Sequence, residues 1–204
     1  MRVPGVRLAT PILQQGVTAE VAVVGMAITI ISRCLIAIAL SLAMAAPALA
    51  VDGMAIEIGR DRHRHSEMAR VAAQWRWSER WLQTETWHLG GYWDLSAARW
   101  QRDGQPGQTT QLTDIGLTPV FRLQTNDLHG FYLEGGIGAH WLSSTQLGDK
   151  RFGSNFQFGD HLGFGYRFGT MDLSYRFQHL SNANIKDPND GINFHQVRLQ
   201  YWFQ

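Results

Sequence analysis

The sequence predicts an all-β fold, an eight-stranded antiparallel outer-membrane β-barrel. Three observations carry this prediction. Residues 33–50 have the make-up of an export signal. The chain after them reads as short segments of period-two alternation separated by turn clusters. That same part holds all eight tryptophans and no cysteine.

The first element is the leader. Arg33 precedes the apolar run Leu35 to Ala50, LIAIALSLAMAAPALA, which ends in Ala48-Leu49-Ala50. A positive residue, a short apolar core and an A-x-A end are the parts of a secretory signal peptide. The run is shorter than the roughly 20 apolar residues a membrane helix needs. Residues 1–50 are therefore expected to be a signal, with Met26 as a second candidate start and 1–25 as an upstream extension. Cleavage after Ala50 leaves residues 51–204 as one domain. Cys34 is the only cysteine and leaves with the signal, so no disulfide framework supports the exported part. Removing the three arginines and one glutamate of residues 1–50 from 18 Lys+Arg and 17 Asp+Glu leaves the charges nearly balanced. That argues against a nucleic-acid partner, which would call for a basic face.

Eight strand candidates follow in order: 55–62, 70–81, 86–100, 111–123, 131–143, 156–168, 170–181 and 193–203. The breaks carry turn chemistry, as in Asp103-Gly104-Gln105-Pro106-Gly107, Thr125-Asn126-Asp127, Gly148-Asp149-Lys150 and Phe168-Gly169-Thr170. Near the end the alternation is plain. Leu173, Tyr175 and Phe177 share one face, and Asp172, Ser174, Arg176 and Gln178 the other. Val197, Leu199, Tyr201 and Phe203 similarly oppose Gln196, Arg198 and Gln200. Bacterial single-chain barrels have an even number of strands, from about 8, each about 10 residues long, and aromatic girdles at both interfaces. Trp75, Trp77, Trp81, Trp87, Trp93, Trp100, Trp141 and Trp202 are the girdle candidates. Glu134, Asp160, Asp172, Arg167 and Arg176 are expected to pair inside the barrel.

The stretch FQHLSNANIKDPNDGIN, residues 177–193, is crowded with reactive side chains. His179 and Ser181 continue the odd-numbered apolar row, so they belong on the lipid side. Asn193 has the parity of that row's neighbour, and an antiparallel pair joined by residues 182–192 can bring it beside His179. With both ends of the barrel periplasmic, the seventh connection is extracellular, which sets the cluster at outer-leaflet depth. Polar residues facing lipid are costly and point to a site. Ser181 is a weak nucleophile until a base takes its proton, and His179 can be that base. Asn193 can orient the ring, as can the loop acids Asp187 or Asp190. Asn182 and Asn189 carry amide donors for an oxyanion. The residues alone leave two readings open, an esterase site needing no metal or cofactor and a polar rim with a loop-capping serine.

The run from His179 to Asn193, HLSNANIKDPNDGIN, closely resembles the active-site segment of the lipid A 3-O-deacylase (PagL) family. That family uses H-x-S-N-A, then K-x-P-N-x-G, then an acidic residue. The resemblance implies an eight-stranded outer-membrane barrel and a serine esterase. Its implied partners are lipid A or lipopolysaccharide and the surrounding outer-membrane lipids. The implied reaction is hydrolysis of the ester-linked 3-hydroxyacyl chain at the 3 position of lipid A. It maps the nucleophile to Ser181, the base to His179 and an oxyanion donor to Asn189, with Asn182 beside the serine. The chain departs from the family where the third member is usually glutamate, because that position is Asn193. A Ser-His-Asn set with comparable spacing occurs in outer-membrane phospholipase A, a larger, calcium-using barrel, so a phospholipase-like esterase is the enzymatic alternative. A structural barrel with a degenerate site is the other. Asp61-Arg62-His63-Arg64-His65 offers either a phosphate-binding patch or a solvated loop. His88, His129, His140 and His161 show no metal-ligand spacing, and His195 has no evident partner.

Overall fold

The computed structural model describes residues 51–61 and 66–203. The expected leader and most of the basic patch at 61–65 lie outside the described residues. Ten strands follow one another: β1 (Gly53–Asp61), β2 (Ser66–Arg76), β3 (Trp87–Arg102), β4 (Gln111–Thr125), β5 (Gly130–Leu142), β6 (Gln146–Leu147), β7 (Lys150–Arg151), β8 (Phe156–Phe168), β9 (Met171–Ser181) and β10 (Ile192–Trp202). Eight of them close into an antiparallel barrel in the order β1-β10-β9-β8-β5-β4-β3-β2, and β6 with β7 forms a separate ribbon. Closure comes from β1 on β10, with Gly53 opposite Trp202 and Asp61 opposite Phe194.

Each strand shows the expected two-residue period. On β9, Asp172, Ser174, Arg176 and Gln178 are buried while Leu173 and Phe177 are exposed. On β10, Gln196, Arg198 and Gln200 are buried while Val197, Leu199 and Tyr201 are exposed. The barrel is thus inverted relative to a soluble protein, with a polar inside and an apolar outside.

The interior has two zones. In the middle, four arginines meet four acids. Arg70 and Arg198 both bridge Glu57 and Asp94. Arg176 binds Glu134 at 2.5 Å, and Arg122 binds Glu134 at 2.8 Å and Asp172 at 2.5 Å. The Tyr92 hydroxyl donates to Glu134 at 3.0 Å and accepts from Arg176 at 2.7 Å. Toward the end opposite the termini the filling becomes apolar: Met68, Trp100, Leu112, Leu142, Leu147, Phe152, Leu180, Ile192 and Phe194 are among the residues that form one buried cluster. This plug lies directly behind the wall that carries residues 179–193.

Four expectations from sequence need correction. Trp100 and Trp202 do not belong to a girdle, since both are buried inside. Their even numbers put them on the inward rows of β3 and β10. Trp100 packs edge-on against Phe194 and Phe152, and the Trp202 indole N–H donates to Asp172. The second strand ends at Arg76 rather than at residue 81. After it the chain bridges β3 only at points, through Trp77 to Gly91 and Trp81 to Leu89, and turns at Leu82 with φ of 48°. Asp160 does not pair inside. It lies on the outward row of β8 with Phe158 and Leu162, both exposed. Glu134, Asp172, Arg167 and Arg176 are buried inside as expected.

Candidate active site

The site is built by the β9–β10 hairpin. Its register sets Asn193 opposite His179 and Ile192 opposite Leu180. The alternation then does two things at once. Leu180, Ile192 and Phe194 point into the apolar plug, and they hold the wall in place. His179, Ser181 and Asn193 take the opposite face, half-buried or exposed.

His179 Nδ1 lies 2.6 Å from Asn193 Oδ1. With the amide oxygen toward the ring, Nδ1 carries the hydrogen and Nε2 keeps its lone pair. That is the tautomer a general base needs. Ser181 is two residues further along the same face, about 7 Å along the strand. No hydrogen bond joins its hydroxyl to His179 among the described residues. Gly191 lets the loop pass close over both. Its φ is +57°, and a Cβ there would stand 3.1 Å from His179 Cε1 and 3.7 Å from Ser181 Cβ.

The loop of residues 182–191 is held by its asparagines. Asn182 is fully buried, and its amide donates to the carbonyls of Phe152 at 2.8 Å and Lys186 at 2.6 Å. Both of its N–H groups are therefore committed, which makes it a support of the loop and not an oxyanion donor. Asn189 differs. Its oxygen accepts from the Asn182 backbone N–H at 3.0 Å, and its amide nitrogen donates to Asn184 at 2.9 Å. A backbone N–H can only donate, so the Asn189 amide nitrogen must face away from it, with one hydrogen left over. Ala183 and Asn184 both adopt left-handed backbone, at φ of 52° and 61°. Such a turn is unfavourable for alanine, and it is closed by the Ile185 N–H donating to the Asn182 carbonyl at 3.1 Å.

The neighbouring loop braces this one. Asp190 accepts from the Arg151 backbone N–H at 2.6 Å, so of the two loop acids it is already engaged. Gly153, at φ of +70°, lies so close to the Pro188 and Lys186 carbonyls that no side chain fits. The β6–β7 ribbon is tied back to β3 by Arg102, which donates to Asp149 at 2.8 Å and holds that carboxyl below its usual range.

Sequence reasoning left three features unread. Asp160 lies directly opposite His179 across the β8–β9 pair. The signal was available, because Asp160 shares parity with Phe158, Leu162 and Phe164. His140 is buried and meets both oxygens of Asp114 at 3.0 Å. His195 does have a partner, the Tyr175 hydroxyl at 2.5 Å. Among the described residues no group of three or more His, Cys, Asp or Glu could hold a metal ion.

The chain matches the family model "Lipid A 3-O-deacylase (PagL)" over residues 67–202. The lipid A deacylase PagL of Bordetella bronchiseptica is 42% identical over 125 residues, which are 56% of this chain and 67% of that protein. The corresponding protein of Pseudomonas aeruginosa is 35% identical over 130 residues, 63% of this chain and 73% of that one. The crystal structure of the outer membrane enzyme PagL superposes with a TM-score of 0.67 at 28% identity, covering 74% of this chain and 99% of that one. With an eight-stranded barrel and a family match through nearly all of its strands, this outer-membrane protein belongs to the lipid A 3-O-deacylase (PagL) family.

Proposed function

We propose that this chain is a serine esterase that removes the 3-linked 3-hydroxyacyl chain of lipid A from the outer leaflet. Family membership supports lipid A as the substrate. The observation that carries the mechanism is the His179–Asn193 hydrogen bond on the outward wall, 2.6 Å long. It fixes the ring in the tautomer that takes a proton at Nε2.

In this reading Ser181 attacks the ester carbonyl and His179 takes its proton. The spare N–H of Asn189 and nearby backbone amides hold the oxyanion. His179 then returns the proton to the lipid A 3-oxygen as the ester bond breaks. Water, activated by the same ring, hydrolyses the acyl-enzyme and releases the 3-hydroxy fatty acid. Phe158, which lies opposite Ser181 on β8, gives the acyl chain an apolar surface continuous with the lipid. In the same proposal the leader of residues 1–50 delivers the barrel, and the 182–191 loop faces the cell exterior.

The test is mass spectrometry of lipid A from cells making the wild type or Ser181→Ala. The wild type is expected to remove one 3-hydroxyacyl chain, and Ser181→Ala none. Retained deacylation in Ser181→Ala would overturn the mechanism. Release of fatty acid from glycerophospholipid instead of lipid A would favour the phospholipase-like alternative.

A further inference from the structure

We infer that Asp160 supplies the negative charge that the asparagine at 193 cannot, acting on His179 from the opposite neighbouring strand. This rests on the proposed serine-esterase reading of the site.

The register sets three side chains in one row across the wall: Asn193 on β10, His179 on β9 and Asp160 on β8. All three are on the outward face. Directly opposed residues on neighbouring antiparallel strands have Cβ atoms about 4.5–5.5 Å apart. Asp160 has no hydrogen bond or ion pair among the described residues. Its row is otherwise apolar, with Phe158, Leu162 and Phe164 exposed at 36%, 75% and 56%. An unpaired carboxylate is costly on a lipid-facing wall. The interior acids Glu57, Asp94, Glu134 and Asp172 have arginine partners; this outward one has a histidine opposite.

The chemistry calls for that charge. When His179 accepts the serine proton it becomes an imidazolium at the edge of a low-dielectric phase. Asn193 holds Nδ1 but is neutral. A carboxylate within about 4–6 Å favours the charged ring. The other ionisable groups around His179 do not supply it. His195 on β10 lies diagonally and is engaged with Tyr175. In the 182–191 loop, Asp190 is taken by Arg151, and Lys186 and Asp187 are exposed with opposite charges. Asp160 is thus a positioning residue of electrostatic kind, acting through the ring and not on the substrate.

The experiment measures the His179 pKa by NMR of histidine-labelled protein in detergent micelles, with His179→Gln for assignment. It is paired with the pH profile of kcat/KM on lipid A. Removing a negative neighbour disfavours the imidazolium, so Asp160→Asn is expected to lower the ring pKa by about one unit. The acid limb of the activity profile moves to lower pH with it, and kcat falls about tenfold with KM little changed. Asp160→Glu retains the wild-type profile. In the Asp160→Asn background, Asn193→Glu restores the ring pKa and brings the rate back to within about threefold of wild type, because the charge then comes from β10. Asp127→Asn, in a turn at the far end of the barrel, leaves the ring pKa unchanged. Asp160 has no hydrogen bond or ion pair to lose among the described residues, so loss of the fold is not expected, and the near-ultraviolet spectrum checks it. A ring pKa unchanged in Asp160→Asn would overturn the inference whatever the activity. A wild type that leaves lipid A intact would overturn the deacylase reading, while the NMR shift would still decide whether Asp160 acts on His179.

Discussion

Asn193 is the residue at which this chain departs from a Ser-His-carboxylate set. Its oxygen lies 2.6 Å from His179 Nδ1, and in the proposed mechanism that contact does the geometric half of the task. Geometry and charge are separable duties, and in the mechanism proposed above they fall on different neighbours of one histidine. Removing the geometric half is expected to be the more damaging change. Asn193→Ala frees the ring to rotate and to adopt the wrong tautomer, so kcat should fall about a hundredfold with the substrate affinity retained. Steady-state assays on purified lipid A in mixed micelles would measure this. A rate within a factor of two of wild type would show that the contact does not hold the ring in the working enzyme.

At the scale of elements, the β9–β10 hairpin uses one alternating pattern for both stability and chemistry. Leu180 and Ile192 bury themselves in the plug, and that burial obliges His179, Ser181 and Asn193 to face outward. The loop joining the strands is pinned from below by Asn182. Asn182→Ala strips the Lys186 carbonyl of its donor and takes one donor from the Phe152 carbonyl, which keeps the Ser154 N–H and the Gln157 amide. Leaving a buried acceptor unsatisfied costs about 1–3 kcal/mol, and the part-buried Lys186 carbonyl belongs at the low end of that range. The expected outcome is a folded barrel with a loosened loop, cleaved by trypsin after Lys186 faster than wild type by at least tenfold. Equal cleavage rates would mean that the Asp190 tie to Arg151 suffices to hold the loop.

For the whole molecule, the wall is apolar outside and the interior is held by paired charge. Glu134 is the junction of the middle zone, binding Arg122, Arg176 and Tyr92. Taking one partner from a buried ion network leaves charges without compensation and costs about 3–5 kcal/mol. Glu134→Ala is therefore expected to unfold at a clearly lower urea concentration in micelles. An unchanged midpoint would mean that Asp172 and Glu57 absorb the freed arginines. The apolar filling at the other end backs the wall that carries His179, Ser181 and Asn193.

Much of this was legible in the sequence because a strand's side chains alternate with a period of two. That single rule assigned the faces of β9 and β10 and put His179, Ser181 and Asn193 together. The same rule turns Asp160 outward on β8, and Trp100 on β3 and Trp202 on β10 inward. Acids inside and tryptophans at the interface are average tendencies of barrels, and strand parity overrides them at these three positions. Sequence by itself determined the eight barrel strands, though not the β6–β7 ribbon, and with them the apolar outward row and the motif that names the family, because each is local to a strand or a short run. The tertiary structure alone decided which residues face each other across strands, as Asp160 faces His179. It alone decided that the Asn182 amide is spent on two carbonyls. Both depend on register and on loops packed over long chain separations, which no local pattern encodes.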